Sequence, residues 1–93
     1  MNNELEQLRG QIDQIDDKII ALFKERMQVA EKIAMFKKEH DMPTLAPGRE
    51  RALLARVAEE AGEEFADYTE SLFRTIMAAS RSYQNVRAGK KSQ

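Results

Sequence analysis

The sequence has no cysteine and no tryptophan, a single histidine (His40), two prolines and four glycines among its 93 residues. Without cysteine there is no disulfide framework, no thiolate metal site and no thiol nucleophile. With one histidine a zinc site would have to be built mostly from carboxylates, so no metal and no cofactor is expected. No apolar run approaches the length of a membrane span. The opening MNNELEQLRGQ is acidic and polar, without the apolar core of a secretory signal, so a cytoplasmic chain with no membrane partner is expected. Neither sign of charge dominates: 15 Lys and Arg against 16 Asp and Glu leave a net charge of -1, which gives no basic excess for nucleic acid and no acidic solvating tail. What is present, 42% apolar and 33% charged residues with few breakers, describes one small all-helical domain too short for two independent cores.

From Leu5 to Phe36 only Gly10 interrupts a helical pattern of Leu5, Leu8, Ile12, Ile15, Ile19, Leu22, Val29, Ile33 and Phe36, spaced by alternating threes and fours with one place skipped. The spacing predicts one long helix from about residue 4 to about residue 39, with Asn3 as N-cap, Glu6 completing a capping pair, and Lys37 and Lys38 suiting the dipole of the last turn. His40 to Ala46 reads as a turn. Pro47 suits the first position of a second helix carrying Leu53, Leu54, Val57, Ala58 and Ala61, which Gly62 ends. Asp67 and Glu70 form another candidate capping pair, opening a third helix through Tyr68, Leu72, Phe73, Ile76, Met77 and Tyr83 that fades near Val86. Residues 1–86 are thus expected to form the helical domain and 87–93, RAGKKSQ, a disordered basic tail or linker.

A helix of some 36 residues is roughly 54 Å long at about 1.5 Å per residue, and two shorter helices cannot cover its apolar stripe from end to end. The simplest cover is a second copy of the chain, the long helices pairing across a two-fold axis. A coiled-coil arm for another protein is the competing solution.

Polar residues sit where that pattern calls for apolar ones. Extending it from Leu22 predicts core positions at residue 26 and near residue 37, where the chain has Arg26 and Lys37. At about 100° per residue these two lie within roughly 20° of each other around the helix and about 16 Å apart along it. Arg9 lies roughly 80 to 100° away, at the edge of the stripe. In the second helix Glu50 falls near the centre of the face made by Leu53, Leu54, Val57 and Ala61, with Arg49 and Arg51 on its borders. In the third, Ser80 and Gln84 follow Leu72 and Ile76 at steps of four, so a hydroxyl and an amide continue an apolar stripe.

The pattern alone leaves two readings open. Lys37 can snorkel from a helix end, and Glu50 can pair with Arg26 or Lys37 in a ligand-free ion network. Against this, Arg9, Arg26, Lys37 and Arg49 face only one inward carboxylate, Glu50, and the excess positive charge suits a small dianion. There is no nucleophile-and-base pair and no phosphate-cradling glycine loop, so such a site would bind, orient and stabilise charge without covalent help. Asp13, Asp16 and Asp17 read as a solvated face and His40 as an exposed residue, without chemistry.

Three segments, LRGQIDQIDDKIIALFKERMQVAEKIAMFK, PGRERALL and YTESLFRTIMAASRSYQ, resemble the all-helical (AroQ-class, type II) chorismate mutases over nearly the whole chain to about Gln84. The resemblance implies three-helix protomers intertwined as a homodimer, and the rearrangement of chorismate to prephenate without a cofactor, in aromatic amino acid biosynthesis. It further implies that Arg26 and the second copy's Arg9 hold the substrate's two carboxylates, and that Lys37 and Gln84 donate to the ether oxygen. Glu50 would take the ring hydroxyl, Arg49 would support the carboxylate-binding set, and Ser80 would contact the ring carboxylate. Some relatives carry Asp where this chain has Ala46, which removes one polar contact near the hydroxyl. Two other functions remain: an isochorismate-pyruvate lyase of the same fold, and a non-catalytic dimerisation or regulatory module. The basic tail also suits the mutase domain of a longer bifunctional protein with a prephenate dehydratase.

Overall fold

The computed structural model describes residues 2–43, 46–87 and 89, and these form an all-helical chain: α1 (Asn2–Glu39), α2 (Pro47–Ala61) and α3 (Ala66–Arg87). Thr44 and Leu45 of the expected turn, and residues 88 and 90–93 of the expected tail, lie outside the described residues. Arg87, expected in the tail, is instead the last residue of α3, where its guanidinium pairs with Glu31 of α1.

The helix ends show how local chemistry sets the elements. The helix α1 closes in a Schellman arrangement, the Met42 amide donating to the Lys37 carbonyl at 2.8 Å and the Asp41 amide to the Lys38 carbonyl at 3.3 Å. Asp41 takes the left-handed conformation this requires, φ 58°, in a place more often given to glycine. Pro47 opens α2 as expected, behind an Ala46 that offers no side-chain cap, and Gly62 at φ 84° ends it. The two capping residues proposed from sequence do not cap. Asn3 lies inside α1 and Asp67 inside the first turn of α3, because each helix runs at least one residue further back.

Both other helices pack on α3. Leu53 and Val57 of α2 meet Met77 of α3, with Leu54 and Phe73 packed against them. On α1 the buried residues are Ala30 and Ala34, whose small side chains let α3 come close. The buried face of α3 is therefore Met77, Ser80 and Gln84, with Phe73 half-buried, rather than a continuation of Leu72, which is 55% exposed. Among the described residues no large side chain is fully shielded.

The apolar stripe of α1 stands open to solvent. Leu5, Leu8, Ile12, Ile15, Ile19, Leu22, Val29, Ile33 and Phe36 are each between 45% and 63% exposed. The chain is 59 Å long with a radius of gyration of 16.9 Å, against about 12 Å for a compact chain of this length. Its accessible surface of 7777 Å² exceeds by roughly 2,300 Å² the area of about 5,500 Å² typical of a globular monomer of this mass.

Candidate active site

The three helices converge on a cleft of about 290 Å³ at the inner end of α1. Arg26 and Lys37 enter it from α1, Arg49 and Glu50 from the first turn of α2, and Ser80, Arg81 and Gln84 from α3. Apolar walls come from Val29, Ala30, Ile33, Ala46, Leu53 and Met77. Six of the seven residues singled out from sequence are brought together here. Arg9 is not among them: it is exposed, about 25 Å from Arg26 along α1 at 1.5 Å per residue.

Arg26, Gln84 and Glu50 are each held by a neighbour on another helix. The Arg26 guanidinium donates to Ser80 Oγ at 2.8 Å, and that hydroxyl contacts Met27 Sδ at 3.6 Å. Gln84, 9% exposed, donates from Nε2 to the Ala30 carbonyl at 3.1 Å, which fixes the amide's orientation and leaves its second N–H for another acceptor. Glu50 accepts from Arg81 at 2.5 Å through Oε2. Arg26 is the group whose electrostatics depart most clearly. Burial pushes its guanidinium below the ordinary arginine range, and the nearby Arg49 cation acts in the same direction.

Sequence reasoning missed Arg81. The signal was available, since Met77, Arg81 and Gln84 recur at steps of four and three and so share a face, but Arg81 stands beside Ser80 and breaks the step-of-four stripe drawn from Leu72. Counting it, the cleft is lined by four cations and one carboxylate. Among the described residues no group of three or more His, Asp or Glu could hold a metal, and no helix is long and apolar enough to cross a membrane. The arrangement can hold a small anion in a fixed pose and offer N–H donors to it.

Three helices thus close on a cation-rich, partly apolar cleft. The chain belongs to the type II chorismate mutase family, whose match covers residues 8–85. It is 38% identical over 84 residues to the T-protein of Haemophilus influenzae, a match covering 87% of this chain and 22% of that protein. It is 37% identical over 54 residues to the bifunctional chorismate mutase/prephenate dehydratase of Aquifex aeolicus, covering 58% of this chain and 15% of that protein. A third relative, the 4-amino-4-deoxychorismate mutase of Streptomyces venezuelae, is 31% identical over 65 residues, 70% of this chain and 63% of the relative. The chain thus spans about a fifth or less of the first two and under two thirds of the third. No solved structure matches it.

Proposed function

We propose that the chain is a chorismate mutase, rearranging chorismate to prephenate by conformational restraint and electrostatic stabilisation, and that it works as an intertwined homodimer. The observation that carries this is the charge imbalance of the cleft: Arg26, Lys37, Arg49 and Arg81 against Glu50 leave a net positive charge, most of which a dicarboxylate offsets.

The reaction is intramolecular. The ether C–O bond breaks as a C–C bond forms between the enolpyruvyl methylene and the ring, so no atom is exchanged with protein or water. Catalysis then reduces to holding the two reacting carbons together and meeting the charge that grows on the ether oxygen. Arg26, with the Ser80 hydroxyl 2.8 Å away, presents two donors to one carboxylate. Lys37 and the free N–H of Gln84 serve the ether oxygen, each such donor being worth on the order of 3 kcal/mol in comparable sites. Glu50 takes the ring hydroxyl, and Arg49 adds positive charge at the mouth.

The second carboxylate needs the second copy's Arg9. The α1 stripe keeps a strict three-four alternation from Leu5 to Phe36, with Arg26 in its one polar place, which is the pattern of a two-stranded seam. Its midpoint lies between Ile19 and Leu22. An antiparallel pairing centred there sets Arg9 of one copy level with about residue 32 of the other, midway between Arg26 and Lys37. Covering roughly 2,300 Å² on each copy would give an interface in the range of obligate dimers. A soluble, cytoplasmic setting and a working helical domain that runs through Arg87 belong to the same proposal.

The test is to incubate the protein with chorismate and, separately, with isochorismate, while measuring its solution mass. Prephenate from chorismate by a dimer is expected. Pyruvate and salicylate from isochorismate would make it the lyase, and no turnover of either would leave a dimerisation or regulatory module. The Streptomyces venezuelae relative raises one more substrate, the 4-amino-4-deoxy analogue, in which an amine replaces the hydroxyl that Glu50 is proposed to read.

A further inference from the structure

We infer that Arg81 is a specificity-determining residue: by pairing with Glu50 it makes the ring-substituent end of the cleft select a hydroxyl and reject an amine. The inference rests on the mutase reading and on the placement of the ring hydroxyl against Glu50.

Glu50 is the sole carboxylate among the residues lining the cleft, since Ala46 beside it at the mouth of α2 brings none. Left alone, an acidic group there would favour a cationic substituent over a neutral one, because a charge-assisted hydrogen bond is the stronger of the two. It is not alone. Arg81 Nη1 stands 2.5 Å from Glu50 Oε2, and the two side chains are only 36% and 27% exposed, so their charges are incompletely screened. The pair is neutral overall and leaves one carboxylate oxygen, Oε1, to accept from a substrate.

A hydroxyl satisfies that oxygen and carries no charge to repel Arg81. An amine on a saturated ring carbon is an ammonium at neutral pH. It would lie next to Arg81 as well as Glu50, in a cleft where Arg26, Lys37 and Arg49 already outweigh the one carboxylate. It would also lower the ligand's net charge from two negatives to one, so it offsets half as much of the cation excess as chorismate does. Like charges a few ångströms apart in a partly screened site weaken binding by about tenfold to a hundredfold.

The experiment measures kcat/KM for chorismate and for its 4-amino-4-deoxy analogue on the parent chain, Arg81→Met and Arg81→Lys. The parent is expected to prefer chorismate by about a hundredfold, and Arg81→Met to cut that preference at least tenfold, with the analogue's KM falling. Arg81→Lys keeps the charge and should keep most of the preference. Should Arg81→Met fail to fold, Arg81→Gln makes the same change of charge with a polar side chain. A neutral variant with the parent's preference overturns the inference, as does a parent that prefers the amine or an Arg81→Lys that behaves like Arg81→Met. A parent that turns over neither compound overturns the mutase reading itself, so the two failures are told apart.

Discussion

Both halves of α1 carry the same exposed apolar stripe, and only the inner half also has a second face packed within the chain. In the inner half, Ala30 and Ala34 are buried and Phe23, Arg26, Met27, Glu31 and Lys37 are half-buried. In the outer half every described side chain from residue 3 to residue 22 is exposed, Ile12 and Ile19 at 56% among them. A solvated helix of that length owes most of its stability to whatever covers its apolar face, since propensity alone leaves isolated helices marginal. A stripe that keeps both its spacing and its exposure through the two halves is the surface that the proposed pairing with a second copy would cover.

The sharpest way to break this contrast is a charge on the outer stripe. Ile19 is 56% exposed, so Ile19→Glu costs a lone chain almost nothing, whereas at the proposed seam, level with Leu22 of the other copy, it buries a carboxylate in each copy. Dimer affinity should fall by about 10³-fold or more, the solution mass should halve and turnover should vanish together. Sedimentation and a prephenate assay check this. An unchanged mass would mean that the outer half is not covered by a second copy.

Arg26 sharpens the same contrast from the inner side. Its lowered pKa means that burial penalises the charged form; the penalty is present at every pH below the folded value and fades only above it, far outside the working range. Arg26→Met should therefore lower kcat/KM by about 10²- to 10³-fold. The ligand-free protein should be no less stable than its parent, at mildly acidic and at neutral pH alike. Turnover and denaturant unfolding measured on one variant read both. A variant less stable than its parent would mean that the Arg26 to Ser80 bond outweighs the buried charge.

A smaller effect concerns pH. Gln84 has no titrating proton, and its orientation is fixed by the Ala30 carbonyl, so its donor persists at all pH. The rate should stay flat between about pH 5.5 and pH 8. A collapse across that interval would assign the ether-oxygen donor to a titrating group instead. The smallest effect is at the end of α1, where Asp41 holds a left-handed conformation that glycine adopts without cost. Asp41→Gly should raise stability by about 1 kcal/mol and leave turnover unchanged.

How much of this the sequence discloses depends on whether a residue type allows one reading or several. The long helix is legible because nine large apolar residues repeat without a breaker, and α2 is legible because Pro47 and Gly62 have few other uses in those places. The start of α1 is not, because a helix this long extends over a weak cap, and Asn3 is swept inside. The inward face of α3 is ambiguous for a different reason. Leu72 with Ile76 and Phe73 with Met77 make two adjacent apolar stripes, and only the packing of α2 selects the second. Ala30 and Ala34 carry no pattern signal, yet they are what lets α3 approach α1 and gives Gln84 its partner. Arg26, Lys37, Arg49, Glu50, Ser80 and Gln84 were visible as polar residues on apolar faces, while Arg81, one step off the drawn stripe, was not.

Whether a second copy completes the cleft is tested most directly by mixing two inactive proteins, Arg9→Ala and Arg26→Ala, after unfolding and refolding them together. If Arg9 acts across the dimer, each mixed dimer has one site carrying both lesions and one carrying neither. About half the dimers are mixed, so chorismate turnover should return to about a quarter of the parent's. A mixture as inactive as its two components would contradict the contribution of Arg9 from one copy to the cleft of the other.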